Sequence, residues 1–194
     1  EFRRVLFRSQ VGIPLVATNR INTPELAEAL LADGVCDMVS MARPFLADAA
    51  FVRKAREGRA DEINTCIGCN QACLDHTFGG KITSCLVNPR ACHETLLVPV
   101  PLARKERIAV VGAGPAGLAF ATEAAQRGLD VTLFDAATEI GGQFNVAKQI
   151  PGKEEFVETL RYFGERLKQT GVTVKLGLRV GADDLVKAGF QHVV

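Results

Sequence analysis

Three cysteines fall within eight residues, in the stretch TCIGCNQAC (residues 65–73), and a fourth follows at Cys85. The spacing is Cys66-x2-Cys69-x3-Cys73, then eleven residues to Cys85. Zinc ribbons and fingers usually supply two separated cysteine pairs. A tight trio with one distant partner suits the corners of a cubane iron–sulfur cluster, where neighbouring thiolates hold one face. Spacing alone leaves a cluster, zinc and free or disulfide-bonded thiols all open, with the cluster favoured. Gly68, Asn70 and the Gly79–Gly80 pair let the loop wrap a bound group. Cys36 lies in a buried-type strand and reads as core, while Cys92 falls outside the spacing and reads as a free thiol. His76 and His93 flank the loop and read as neighbours rather than ligands.

A second chemical pattern lies downstream, in RIAVVGAGPAGLAFATEAAQRGLDVTLFD (residues 107–135). Gly112, Gly114 and Gly117 follow an apolar strand and open a helix, and a second strand then ends on Asp135. That βαβ context is what a dinucleotide-binding glycine motif requires. Gly112 permits the tight turn, Gly114 lets backbone approach a pyrophosphate, and Gly117 lets helix pack on strand. The helix N-terminus presents free N–H groups and a positive dipole end to phosphate. Asp135 stands 23 residues after Gly112, where a carboxylate accepts hydrogen bonds from a ribose 2′-OH and repels a 2′-phosphate. The continuation EIGGQF favours FAD over NAD at this site: its glycines let backbone approach a long cofactor, and Gln143 offers an amide. A dinucleotide domain next to the cysteines also favours the cluster, because flavins exchange electrons singly or in pairs and zinc carries none.

The elements that must position these groups are legible as alternating strands and helices. IPLVAT (residues 13–18) and CDMVSM (residues 36–41) read as short buried strands. Between them, NTPELAEALLADG carries a full set of helix signals: Thr23 as cap, Pro24 at the first position, Glu25 at the positive end and Gly34 at the close. FLADAAFVRKAREG reads as a second helix. Two consecutive βα units mean parallel strands. Residues 60–100 lose the helical pattern, and LLVPVPLARKE acts as a proline-punctuated linker. Beyond the dinucleotide motif, Phe156, Leu160, Phe163 and Leu167 share one helical face, and VTVKLGLRV and FQHVV resume strand.

Composition sets bounds on function. The 194 residues are 47% hydrophobic and 23% charged, ordinary for a soluble globular protein. No apolar run approaches the ~18 residues of a membrane span. The net charge of +1 offers no field for nucleic acid or anionic lipid, so neither is an expected partner. Six cysteines without a signal peptide point to a reducing, cytoplasmic setting. The first nine residues, EFRRVLFRS, resemble translated sequencing-adapter and are read as a non-native scar; without them the net charge falls to −1.

Taken together, NTCIGCNQACLDHTF, SCLVNPRACHE, VVGAGPAGLAFA and EIGGQFNVAKQIPGKEEF resemble the old-yellow-enzyme-like iron–sulfur flavoenzymes of the bacterial NADPH-dependent 2,4-dienoyl-CoA reductase type. The resemblance runs from about residue 11 to the end. It implies an α/β fold made of the last two βα units of a (β/α)8 barrel, an iron–sulfur cluster linker, and the first part of a Rossmann-like FAD-binding domain. The corresponding boundaries are residues 10–60, 61–100 and 101–194, after the scar at 1–9. Four cofactors are implied for the intact enzyme: FMN, a [4Fe–4S] cluster, FAD and NADPH. Electrons would run from NADPH through FAD, cluster and FMN to a dienoyl-CoA substrate in unsaturated fatty acid β-oxidation. By resemblance, Cys66, Cys69, Cys73 and Cys85 are the cluster ligands. Asn19, Arg20, Ala42 and Arg43, at two strand ends, surround the FMN phosphate, where such barrels bind phosphate and an arginine can pair bidentately. Ala116, Asp135, Gln143, Lys153 and Val180 contact FAD. The family's substrate pocket and its acid are not in this stretch, so the chain reads as a fragment, cut at both ends, without turnover of its own. An uncovered slice of barrel is expected to associate or unfold. Enoate reductases and amine dehydrogenases share the same plan and stay open, as does a non-catalytic metal module.

Overall fold

A computed structural model describes Arg8 and residues 10–194. Apart from Arg8, which pairs with Asp37 (Nη2 to Oδ1, 3.0 Å), the nonapeptide read as a scar lies outside the described residues. The chain divides into two compact units, residues 1–94 and 95–194. The cysteine segment therefore packs with the opening βα units.

The first unit holds strands β1 (Val16–Thr18) and β2 (Met38–Ser40), parallel and in register from Val16 opposite Met38. Helix α1 (Pro24–Ala32) joins them; the Thr23 hydroxyl accepts from Leu26 N–H at 3.3 Å, and Gly34 follows the helix at φ +65°. Its inner residues Ala27 and Leu30 bury against Ile21 and Cys36, so Cys36 is core, as its strand pattern implied. Val16 and Met38, on the other side of the strand pair, stay exposed.

The helix expected over residues 45–58 is two helices, α2 (Arg43–Ala47) and α3 (Phe51–Arg56). Asp48 breaks it. Its backbone is extended, and its carboxylate accepts from Ala50 N–H at 2.9 Å, offering the chain a partner other than the helical ladder. A short α4 (Leu74–Phe78) then forms inside the cysteine segment, where sequence suggested only loop.

The second unit is a four-stranded parallel sheet in the order β5-β4-β3-β6. Its strands are β3 (Arg107–Val111), β4 (Asp130–Phe134), β5 (Thr173–Lys175) and β6 (His192–Val193). Alternation along β3 sends Ile108 and Val110 to one face and Ala109 to the other. On the first face, Leu118 and Ala121 of α5 (Pro115–Gln126) and Leu167 of α7 (Phe156–Thr170) close the larger core over Val131 and Leu133. On the second, Leu185 of α8 (Ala182–Lys187) packs on Ala109 and Phe134. A short α6 (Phe144–Ala147) precedes α7, and their Phe144 and Phe156 rings stack 5.0 Å apart. Parallel strands with helices on both faces are the dinucleotide-binding architecture that the glycine pattern required.

The tightest approach in this unit is at Gly117, where a Cβ would stand 1.9 Å from the Gly112 carbonyl oxygen. Neither backbone can yield without separating α5 from β3. Gly117→Ala is expected to lower the stability of the second unit by about 1–3 kcal/mol, the usual cost of overpacking, read as an earlier denaturant midpoint.

Candidate functional site

The cysteine segment crosses the first unit twice, and buried polar groups fix both passes. Asp48, 7% exposed, accepts from Asn64 N–H at 2.9 Å and from Lys54 Nζ at 2.6 Å. Lys54 also donates to the Glu62 carbonyl at 2.8 Å. Asn64 Nδ2 then reaches the Val87 carbonyl (2.8 Å), and Asn88 Nδ2 reaches the Leu46 carbonyl (2.9 Å). Asn22 Nδ2 donates to the Cys66 carbonyl at 3.1 Å. These contacts bring the pass carrying Cys66 and the pass carrying Cys85 to the same place beside α2.

There the four sequence-predicted ligands Cys66, Cys69, Cys73 and Cys85 line one pocket, closed by Leu46, Ile67, Leu86 and Val87 and flanked by Arg43 and Asn70. All four are free thiols. Among the described residues, no three His, Cys, Asp or Glu are placed to hold a single ion, while the four thiols share one pocket lining. Four soft donors spread around an apolar-walled pocket fit a polynuclear iron–sulfur group better than one zinc. Backbone N–H groups already face the sulfurs, from Gly68 to Cys66 and from Val87 and Asn88 to Cys85. Burial is the larger influence and pushes both thiols above the ordinary cysteine value, while Arg43 draws Cys66 down. His76 and His93 turn their Nδ1 atoms to the carbonyls of Ile82 (3.0 Å) and Ala91 (3.1 Å) and stay out of the pocket lining. Cys92 is exposed, outside the pocket.

The four residues expected around a flavin phosphate lie at the C-terminal ends of β1 and β2. Asn19 and Arg20 follow β1 in left-handed backbone, φ +78° and +56°. Ala42 caps α2 and Arg43 begins it. The structure brings Arg43 and Asn19 together (Nη2 to Oδ1, 3.5 Å) and also turns Arg43 toward the cysteines, which the sequence did not suggest.

In the second unit, Gly112 makes its turn at φ +117°, and Gly114 caps α5 with open space where a side chain would stand. The first-turn N–H groups of Ala116 and Gly117 have no acceptor within the helix, as at any helix start. Asp135 sits at the same spot: its carboxylate accepts from Ala113 N–H at 2.6 Å and from Ala137 N–H at 2.8 Å. Gly141 donates to the Ala113 carbonyl at 2.7 Å, and a Cβ on Gly142 would lie 3.2 Å from Gly114 Cα. The GG of EIGGQF thus packs on the glycine turn. Gln143 precedes α6 and is exposed; Lys153, also exposed, lies over the Phe156 ring. Val180 is half-buried and packs on the Ala109–Phe134–Leu185 core, so its side chain serves packing.

Known proteins carry the same two parts. Residues 3–62 match the NADH:flavin oxidoreductase / NADH oxidase family, and residues 110–166 match the NAD(P)-binding Rossmann-like domain. In these two segments the chain is similar to NADH:flavin oxidoreductases and to NAD(P)-binding Rossmann-like domains. A metal reductase of Desulforamulus reducens is 41% identical over 181 residues, 93% of this chain and 27% of that protein. A 2-naphthoyl-CoA reductase in complex with 2-naphthoyl-CoA superimposes with a TM-score of 0.91 at 34% identity, over 96% of this chain and 29% of the other. Histamine dehydrogenase from Rhizobium sp. 4-9 gives 0.86 at 32% identity, over 96% and 28%. The chain thus spans between 27% and 29% of the length of these similar proteins. Among the described residues no helix is long and apolar enough to cross a membrane.

Residues that sequence reasoning missed are the positioning ones: Asp48, Lys54, Asn64 and Asn88. Their signal was faint, an asparagine two residues before Cys66 and another three after Cys85. Removing the Asp48 carboxylate strands a half-buried ammonium and a buried N–H, so Asp48→Ala is expected to cost the first unit about 3 kcal/mol in denaturant unfolding. The raised thiols have their own signature. In the metal-free chain, Cys66 and Cys85 hold less thiolate than an ordinary cysteine at the same pH. Their alkylation, followed by mass spectrometry at pH 8, should lag that of the unfolded chain and climb only as pH rises past the usual thiol value of about 8.5.

Proposed function

We propose that this chain serves an NAD(P)H-dependent flavin and iron–sulfur oxidoreductase that reduces a conjugated acyl-CoA, of the 2,4-dienoyl-CoA kind. The observation that carries the proposal is that four thiols line one pocket, in the same unit as the flavin oxidoreductase segment. Cys66, Cys69, Cys73 and Cys85 hold a [4Fe–4S] cluster, with Gly68, Val87 and Asn88 N–H groups facing their sulfurs. Asn19, Arg20, Ala42 and Arg43 hold the FMN phosphate at the strand ends. In the second unit, Gly112, Gly114, Ala116 and Gly117 hold the FAD pyrophosphate on the start of α5. Asp135 turns from Ala113 N–H to the ribose hydroxyls, and Gln143, Lys153 and the Val180 backbone line the rest of the cofactor's course. When bound, these groups supply the change from two-electron to one-electron transfer that lies between a hydride donor and a conjugated acceptor. The leucine, isoleucine and valine walls of the cysteine pocket limit water around the thiolates.

The acyl-CoA substrate rests on the sequence resemblance and on likeness to a reductase solved with 2-naphthoyl-CoA. A second reading, oxidation of an amine through the same cofactors, is favoured by the likeness to histamine dehydrogenase. Both need the cluster, so the cluster is the first test. Residues 10–194, made anaerobically and supplied with iron and sulfide, are expected to bind about four irons per chain and show a broad visible band that dithionite bleaches. Cys69→Ser should lose that band, and Cys92→Ser should keep it. A colourless chain holding one zinc through the same cysteines would falsify the electron-transfer reading in favour of a metal-binding module.

A further inference from the structure

Four non-glycine residues among those described have left-handed backbone, and three of them, Asn19, Arg20 and Asn70, lie in the two loops that Arg43 reaches. Such conformations are strained and persist only where the surroundings hold them. Asn70 stands between Cys69 and Cys73 at φ +62°. Its side-chain oxygen accepts from Arg43 Nη1 at 2.6 Å, and its backbone carbonyl accepts from Asp75 N–H at 3.1 Å, at the start of α4. One guanidinium therefore fixes the residue that turns the chain from the second cysteine to the third. The other nitrogen of the same fork lies 3.5 Å from Asn19 Oδ1, at the end of β1. No ion pair among the described residues includes Arg43, and its guanidinium lines the cysteine pocket.

We propose that Arg43 is a positioning residue for the cysteine site: it clamps Asn70 between Cys69 and Cys73, and its positive charge in the pocket wall raises the reduction potential of the group held there. This rests on the iron–sulfur reading above. A cluster on four thiolates is anionic and becomes more so on reduction, so a fixed cation beside it favours the reduced form. The planar fork matters as well as the charge. One nitrogen holds Asn70 while the other faces the β1 end, a division of labour that a lysine ammonium on a flexible stem does not reproduce. An arginine serving a flavin phosphate alone would leave the potential of the cysteine site unmoved.

Two readouts on the full chain test this, comparing the parent with Arg43→Gln and Arg43→Lys. The first is hydrogen exchange at the Asp75 N–H of the metal-free chain, with the β3 amides as a control for folding. The second is the midpoint potential of the iron-loaded chain under dithionite titration, with iron and sulfide counted on each variant. Arg43→Gln should speed exchange at Asp75, leave β3 unchanged, and shift the potential lower. Arg43→Lys should also speed exchange but keep the potential near the parent's. Parent-like exchange and potential in Arg43→Gln would overturn the proposal. If Arg43→Gln takes up no iron, exchange alone decides: faster exchange at Asp75 supports the clamp, and unchanged protection removes it. A parent chain that binds no iron would sink the cluster reading and the potential shift with it, while the Asp75 exchange still decides the clamp.

Discussion

The cysteine loop has almost no regular secondary structure, so its shape depends on polar pairs buried beneath it. Asp48 is the centre of that arrangement. Its two oxygens serve a backbone N–H in front (Ala50), an ammonium beside (Lys54) and a distant N–H (Asn64), and each contact draws a separate piece of chain inward. A buried carboxylate is costly unless paired and hydrogen-bonded, and here the pairing is what joins α2 and α3 to the segment entering Cys66. The asparagines complete the frame, since amide groups can answer the carbonyls of an irregular chain where no ladder exists. Four thiols separated by up to nineteen positions can then share one pocket.

The dinucleotide unit solves the opposite problem. Its backbone is regular, its core apolar, and its site is set by how closely two elements can approach. Gly117 lies against the Gly112 carbonyl, and Gly142 lies against Gly114, so missing side chains place the turn, the helix start and the following loop in contact. Asp135 occupies this junction already hydrogen-bonded to the glycine turn, a preorganised carboxylate at the end of β4. In the first unit polar groups pull irregular chain together. In the second, the absence of side chains lets regular chain close up.

The two devices suit what each unit would carry. A cluster needs soft donors fixed in a low-polarity wall, with N–H groups near the sulfurs, because its potential follows charge, hydrogen bonding and solvent. A dinucleotide needs backbone N–H groups and a helix start brought within reach of phosphate.

Much of this was legible in the residues themselves. The glycine motif with its acid, the cap and proline of α1, and the apolar stripe of α7 are local patterns, and local patterns follow from nearest neighbours and periodicity. The cysteine spacing likewise singled out the four thiols that line one pocket, since short-range spacing restricts which groups can share a face. Other features were not legible. The break in the helix at Asp48 came from a side chain outcompeting the backbone ladder. The short α4 is tied through the Asn70 carbonyl to a residue held by Arg43, 27 positions earlier. Arg43 itself has a sequence signal for phosphate only, and its turn toward the thiols depends on where Asn70 finishes. The sequence by itself determined the chemistry of the donors and the regular elements, because those depend on residue type and near spacing. Only the tertiary structure decided which distant pieces meet at the pocket, because those contacts run between buried polar groups far apart in the chain and leave no periodic mark.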